Sequence, residues 1–237
     1  MIQNLSISRA LLLFSIALGG SALAGCGGDD DDTGASADAG ADGPCGFEDR
    51  YLPYQTGYQW TYRVTDLGNP DVTTKTQALT MEIDDDLGPV IVQTTTKATG
   101  TTISALKREA DSVLRLRQED RDELGALERT TVYDPGQNRL DEAPAHLVLG
   151  AEWDDVYTVT VTDAAGAPVS SGERTDHWEV LGVDVDCSSP LGDFTCLQVR
   201  RQRIVGGVSD KQFFYAKGIG KVKEVNANQV EELVSCQ

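Results

Sequence analysis

Apolar and polar residues alternate with a period of two over most of the chain after residue 45. In residues 58–64, 79–84 and 157–162, every second side chain is apolar and those between are polar or charged. This alternation is typical of β-strands with one buried face and one face in water. Short glycine- or proline-containing segments, such as 165–168 and 206–207, separate the runs and favour hairpins. The pattern predicts an all-β domain.

One stretch departs from this pattern. Gln118 to Arg129 has a helix-like distribution of charged residues, and Gly125 interrupts it. Glycine inside a helix lowers helical stability. We interpret the stretch as a polar loop or one short turn.

The alternating part of the chain contains an internal repeat. A Gly-x-x-Trp segment at Gly57–Trp60 recurs at Gly150–Trp153, and Leu87-Gly88 recurs as Leu191-Gly192. The offsets are 93 residues at the tryptophans and 104 residues at the Leu-Gly pairs, so the second copy holds an insertion. We expect two similar meanders of about five strands each, joined through residues 133–149. An antiparallel sheet of about ten strands curls, into a half-barrel, a barrel or a sandwich, to remove its exposed edges.

The N-terminus has the order of a secretory signal. Arg9 supplies a positive charge, residues 10–18 are apolar apart from Ser15, and small residues follow. The apolar run is too short to span a bilayer, which needs about 20 such residues. Residues 1–25 are therefore predicted to be a signal peptide.

The cleavage region resembles the bacterial lipobox at Leu23-Ala24-Gly25-Cys26. In lipoproteins with this motif a diacylglyceryl group is attached to the cysteine thiol, and a peptidase cuts before the cysteine. Ordinary signal cleavage is the alternative, because Ala22-Leu23-Ala24 also fits its A-x-A pattern. We favour lipidation at Cys26. The mature protein is then anchored to a membrane by acyl chains and not embedded in it.

Residues 26–44 are expected to be a lipidated cysteine followed by a flexible acidic tether. Gly27 to Pro44 has no large apolar residue to bury. Its reach is roughly 20–25 Å. Asp29–Asp32 lack the alternating ligands and terminal glutamate of an EF-hand-like calcium loop. Residues 45–237 are long enough for a single all-β domain.

The chain has a formal net charge of −18. A domain this acidic is a poor nucleic-acid binder, because it has little to displace counterions from phosphate. We attribute the charge to solubility and to spacing from the membrane.

Four cysteines remain besides Cys26, an even number in an exported chain. Zinc is the alternative, but the chain has no C-x-x-C pair and His146 and His177 are not at ligand spacing. Three disulfide connectivities satisfy the four cysteines. We favour Cys187–Cys196, across a loop with serine, proline and glycine, and Cys45–Cys236, between the two ends of the domain.

Three segments carry a family resemblance. The G-x-x-W-x-Y opening, Gly192–Leu197 and Tyr215–Glu224 resemble an uncharacterised family of Gram-negative envelope lipoproteins. The resemblance covers most of residues 50–235. It implies a fold similar to the curved antiparallel sheets of the lipoprotein-carrier class (LolA/LolB-like) and a location in the cell envelope, on the outer membrane, facing the periplasm or the cell surface. The family has no established activity.

Catalytic patterns are few. The sequence has no G-x-S-x-G elbow, no H-E-x-x-H motif and no phosphate loop. His177 has Asp176 and Glu179 nearby, but adjacent strand residues point to opposite faces, so a structural histidine is favoured. His146 is interpreted in the same way. Glu152, Asp154 and Asp155 could pair as acid and base, but neighbouring carboxylates mean little in so acidic a chain. We predict no catalytic site, no metal and no cofactor.

Two further groups of residues allow a functional and a structural interpretation. Arg200, Arg201 and Arg203 could hold an anion or an acidic partner, and we favour pairing across strands with acidic residues. Trp60, Trp153 and Trp178 could line a cavity for an acyl chain or a sugar, and we favour a place in the core.

The sequence thus predicts a non-enzymatic envelope lipoprotein that is a binding or structural module for an unknown ligand. The alternative is a carrier that shelters a lipid or acyl chain in a half-open barrel. An open apolar pocket would favour the carrier, and a filled core would favour the module.

Overall fold

A computed structural model describes residues 45–46, 48–69 and 71–237, in which twelve antiparallel strands follow one another. Each strand pairs with the strands before and after it, and the first pairs with the last, from Trp60 opposite Cys236 to Asp66 opposite Gln229. The sheet is therefore a closed barrel, which confirms the predicted all-β antiparallel class in its barrel form. The strands are β1 (Gln59–Asp66), β2 (Val72–Asp84), β3 (Gly88–Lys97), β4 (Gly100–Arg108), β5 (Ser112–Arg121), β6 (Leu127–Asp141), β7 (Glu152–Asp163), β8 (Pro168–Ser189), β9 (Gly192–Val205), β10 (Ser209–Ala216), β11 (Gly220–Asn226) and β12 (Gln229–Cys236).

Two sequence interpretations were wrong, that of Gln118 to Arg129 as a polar loop and that of residues 133–149 as the connection between the halves. Gln118–Arg121 ends β5 and Leu127–Arg129 begins β6, so the predicted polar loop is a hairpin. Residues 133–141 continue β6, and only a three-residue 3-10 turn, Pro144–His146, lies before β7. These strands lack alternation because both their faces are polar, one toward solvent and one toward a polar interior.

The repeated motifs lie six strands apart, not five. Trp60 is in β1 and Trp153 is in β7, while Leu87-Gly88 and Leu191-Gly192 open β3 and β9. The two copies thus occupy opposite sides of the barrel. The extra residues of the second copy lengthen β8, which has 22 residues where β2 has 13.

One end of the barrel, which we call the closed end, is filled by a hydrophobic core. This is the end where β1, β3 and β7 begin and where β12 ends. Inward side chains from almost every strand meet there, and Trp60, Trp178, Leu106, Leu197 and Leu233 are almost wholly buried. Trp153 packs against the same core. All three tryptophans are therefore core residues, as favoured from the sequence.

The segment before β1 completes the closed end. Tyr51, Leu52 and Tyr54 are buried in the core, and the Glu142 carboxylate accepts the backbone N–H groups of Tyr51 and Leu52 at 2.9 and 3.1 Å. A disulfide joins Cys45 to Cys236 at the end of β12, with 5.8 Å between their Cα atoms. The chain therefore enters the barrel at its closed end.

The second disulfide lies in the β8–β9 hairpin, which extends past the closed end. Cys187 is bonded to Cys196, with 6.0 Å between their Cα atoms. Cys196, Ala216 and Val222 form a small apolar cluster outside the main core. Both disulfides match the pairing favoured from the sequence.

The predicted signal peptide, Cys26 and the tether lie outside the described residues. Within the part of the chain that the structure describes, no helix is long and apolar enough to cross a membrane.

Candidate functional site

The half of the barrel opposite the closed end is not filled. The turns β1–β2, β3–β4, β5–β6, β7–β8, β9–β10 and β11–β12 surround this end, which we call the mouth. A cavity of about 490 Å³, open to solvent, occupies the interior below them. Its volume is within the range of small-molecule sites, roughly 300–1,000 Å³. Among the described residues, polar side chains predominate in its lining.

The lining is strongly cationic. Two carboxylates line the cavity, Glu224 and Glu231, against nine cationic side chains. The cations are Lys75, Lys97, Arg115, Arg139, Arg174, Arg201, Arg203, Lys211 and Lys221. This interior carries the opposite sign to the whole chain, whose formal charge is −18. Such a segregation of charge attracts anions into a low-dielectric cleft.

Lysines and glutamates form one wall, from β2, β10, β11 and β12. Lys221 Nζ lies 2.5 Å from Glu224 and 2.7 Å from Glu231. Lys211 pairs with Glu224 at 2.7 Å, and Lys75 pairs with Glu231. Every cation of this group thus has a carboxylate partner.

Electrostatics favour the ionised forms of Glu224, Glu231 and Lys221, but not that of Lys75. Burial raises the pKa of Glu224, but the charges of Lys221 and Lys211 outweigh it and hold that pKa well below its usual range. The same carboxylates, against the effect of burial, raise the pKa of Lys221. Burial, followed by repulsion from Lys221, lowers the pKa of Lys75 to about 7.

Asp176 organises the opposite wall, from β6 to β9. Its buried carboxylate accepts from Arg203 Nε at 2.8 Å, from Tyr157 Oη at 2.8 Å and from Gln137 Nε2 at 3.2 Å. Arg203 Nη2 also donates to Tyr157 Oη at 2.8 Å. Burial raises the pKa of Asp176, but Arg203 and Arg201 outweigh burial and lower it.

Arg115 and Arg139 lie deep in the cavity and have no carboxylate partner among the described residues. Arg115 Nη1 donates to Gln118 Oε1 at 2.7 Å, and its guanidinium carbon is 6.0 Å from the centre of the Tyr133 ring. The Nε atoms of both arginines are inaccessible to solvent and lack a hydrogen-bond partner. Burial, followed by repulsion from Arg139, lowers the pKa of Arg115 to about 10.

The three arginines singled out from the sequence divide between the two faces of β9. Arg200 points outward and pairs with Asp210, with Nη2 2.6 Å from Oδ2. Arg203 points inward to Asp176, so pairing across strands holds for both. Arg201 also points inward, and its guanidinium carbon lies 5.4 Å from the Trp178 ring centre and 5.3 Å from that of Phe213.

The histidines lie away from the cavity. His177 is on the outer face, where Nδ1 is 2.7 Å from Asp154 Oδ1, while its neighbour Asp176 points inward. His146 stacks on Trp153 near the closed end, with 4.3 Å between the ring centres. The structural interpretation of both histidines agrees with these positions.

The three carboxylates of β7 do not meet as an acid–base pair. Glu152 and Asp154 are exposed, whereas Asp155 is partly buried inside the barrel. Burial raises the pKa of Asp155 to about 6. In the described residues no group of histidine, cysteine or carboxylate side chains could hold a metal ion.

Sequence reasoning missed the cavity, although part of its signal was present. Lys75, Gln77 and Leu79 occupy alternate positions of β2, and only Leu79 is apolar. When the inward side chains of one strand change from apolar to charged along its length, the barrel interior is packed at one end and open to water at the other. This interior is also not the apolar pocket that the carrier alternative requires.

The fold has a counterpart among solved structures. No protein-family model and no curated protein sequence matches the chain. A protein of Bacteroides fragilis, inferred to be exported and with a YmcC-like fold, aligns over 78% of this chain and 98% of its own, at 15% identity and a TM-score of 0.51. A Parabacteroides distasonis protein, inferred to be a lipoprotein, aligns over 79% and 98%, at 10% identity and a TM-score of 0.38. The first likeness shows that the barrel is similar to the YmcC-like fold, and at this identity it shows the fold alone.

Proposed function

We propose that the protein is a lipid-anchored envelope lipoprotein whose barrel is a non-enzymatic binding module for an anionic small molecule. The observation that carries this proposal is the mouth cavity, with nine cationic side chains and two carboxylates. Cations held together in one cavity repel each other, and an anion that enters relieves the repulsion.

The sequence supports the location. Leu23–Cys26 resembles a lipobox, and the Bacteroides fragilis protein of similar fold is inferred to be exported. We place the protein on the outer membrane, facing the periplasm or the cell surface. Cys45 is bonded to Cys236 at the closed end, so the residues that precede Cys45 connect to the barrel at the end opposite the mouth.

The lining argues against the alternative of a lipid or acyl-chain carrier. An acyl chain in this cavity would displace water from charged groups without replacing their hydrogen bonds, which costs free energy. An oxyanion would instead accept hydrogen bonds from guanidinium and ammonium groups, which are the strong, charge-assisted kind.

Calorimetric titration of the purified protein tests this function. At low salt, tripolyphosphate and trigalacturonate should bind, and the affinity should fall as salt is raised, because salt screens the cations. Maltotriose, which is neutral, and a hydrophobic dye serve as controls and should not bind. Absence of binding by both anions, or saturable binding of the dye with displacement by palmitate, would overturn the proposal.

A further inference from the structure

The cavity cations differ in whether a carboxylate already neutralises them. Lys75, Lys211 and Lys221 pair with Glu224 or Glu231, and Arg203 pairs with Asp176. Arg201 is 3.9 Å from the same aspartate. Among the described residues the cations without a carboxylate are Lys97 and Arg174, toward the mouth, and Arg115 and Arg139, in the interior.

Arg115 and Arg139 have features that are typical of an anion-binding site. Burial, followed by repulsion from Arg139, lowers the pKa of Arg115, whereas Tyr54, Tyr215 and Glu224 outweigh burial and raise the pKa of Arg139. Both Nε donors are shielded from water and unpaired within the described part of the chain. A buried donor without an acceptor, in a group that is also charged, opposes folding unless something else supplies the acceptor.

The hydrogen-bond partners of the two arginines are neutral. Arg115 is hydrogen-bonded to Gln118 and Tyr133, and Arg139 to Tyr54, so no carboxylate within salt-bridge distance among the described residues balances either charge. A guanidinium presents its N–H groups as a planar fork that matches the two oxygens of a phosphate or a carboxylate.

We infer that Arg115 and Arg139 form a subsite for a terminal oxyanion group with two or more negative charges, on a small molecule that enters through the mouth. This inference rests on the proposed function and identifies the chemistry and the place of binding. The shared chemistry is that of a phosphate, a pyrophosphate or a pair of neighbouring carboxylates. Lys97 and Arg174 lie nearer the mouth, where they would attract the anion as it enters.

Substitution of the two arginines tests the assignment in the whole purified protein. The variants are Arg115→Gln and Arg139→Gln, with Arg200→Gln as the control on the outer face. Pyrophosphate and citrate are the probes, and the difference between them distinguishes phosphate from carboxylate sources. Each interior variant should raise the dissociation constant of the preferred probe at least tenfold, and the control should change it less than twofold.

A second measurement separates a binding role from a structural one. Because Arg115 is repelled by Arg139 and its Nε atom lacks an acceptor, Arg115→Gln should raise the melting temperature of the ligand-free protein. Arg115→Lys and Arg139→Lys keep the charge but lose the fork, so they should fold and bind with intermediate affinity. A lower melting temperature in Arg115→Gln would mean that Arg115 stabilises the fold without a ligand, and the assignment would be wrong.

The outcomes distinguish this inference from the function on which it rests. If the wild-type protein binds either probe and the glutamine variants bind it equally well, the subsite assignment fails while anion binding stands. If the wild-type protein binds neither these probes nor the longer anions, the proposed function fails as well.

Discussion

The side chain of Asp155 accepts a backbone hydrogen bond at a point where β6 and β7 are no longer paired. Pairing of β6 with β7 extends to Asp134 opposite Thr158 and does not continue toward the closed end. There the backbone N–H of Asn138 donates to Asp155 Oδ2 at 2.9 Å instead of to a strand carbonyl. Burial, with a further contribution from Asp176, raises the pKa of Asp155 to about 6, above the ordinary value of 3.8. The folded protein therefore binds the Asp155 proton more tightly than the unfolded chain does. As the pH rises from 3.8 to about 6, this group lowers the free energy of unfolding.

Replacement of Asp155 by Asn should stabilise the protein at pH 7. The amide keeps the acceptor for Asn138 and removes the buried charge, which we expect to add about 1–2 kcal/mol to the free energy of unfolding. The gain should disappear at a pH below the unfolded-state pKa, where the wild-type carboxyl is protonated in both states. Denaturant melts at both pH values measure it, with Glu152→Gln, on the exposed face of the same strand, as the control. A loss of stability at pH 7 would show that the ionised carboxylate is needed.

At the scale of elements, the hairpins at the mouth depend on glycine where backbone approaches backbone. Gly100 opens β4 with a φ of +124°, and a Cβ atom there would lie 2.2 Å from the carbonyl oxygen of Arg121 in β5. Gly166, in the β7–β8 turn, has a φ of +82° but open space around the corresponding position. Substitution of the two glycines therefore distinguishes the cost of backbone conformation, which both share, from the cost of a clash with β5, which only Gly100 has.

Gly100→Ala should destabilise the barrel more than Gly166→Ala. Both variants place an alanine in the left-handed region, which costs about 1–2 kcal/mol. Only the first also forces β4 away from β5, and we expect a total loss of roughly 3 kcal/mol or more in the free energy of unfolding. Chemical denaturation measures both losses. Equal losses would mean that the two strands separate at this point without cost.

At the scale of the whole molecule, the N-terminal end of the described barrel and the cavity lie at opposite ends. Cys45 is bonded to Cys236 at the closed end, and the cavity lies at the opposite end. A lipid on Cys26 would therefore be connected to the barrel through the end opposite the cavity. Anchoring and ligand binding should then be separable properties.

Replacement of Cys26 by Ser should release the protein from the membrane and leave binding unchanged. Without the thiol no diacylglyceryl group is attached, so a labelled fatty acid should no longer be incorporated. The variant should still bind tripolyphosphate with the affinity of the wild-type protein, because Cys26 is distant in sequence from every residue of the cavity. Fatty-acid labelling and calorimetry measure the two properties. Equal labelling of the variant would contradict lipidation at this residue.

The sequence by itself determined the class of fold and much of its covalent frame. A period of two is a local property of strands, so alternation at Trp60–Val64 and Tyr157–Val161 indicates a buried face whatever the neighbouring strands are. The even number of cysteines and the turn between Cys187 and Cys196 favoured the two disulfides that the structure contains. The repeat of Gly-x-x-Trp identified equivalent strands, although it predicted a spacing of five strands and the structure has six.

Only the tertiary structure decided where the charges of the barrel meet. The inward face of a strand can be read from the sequence only when the other face differs from it. Around Arg115 and Arg117 both faces are charged, and the β5–β6 hairpin was therefore misread. Closure between β1 and β12 then brings Lys75 of β2 and Arg201 of β9 to one interior, although they are far apart in the chain. Charge attraction acts through space, so no local pattern could show that an acidic chain has a cationic cavity.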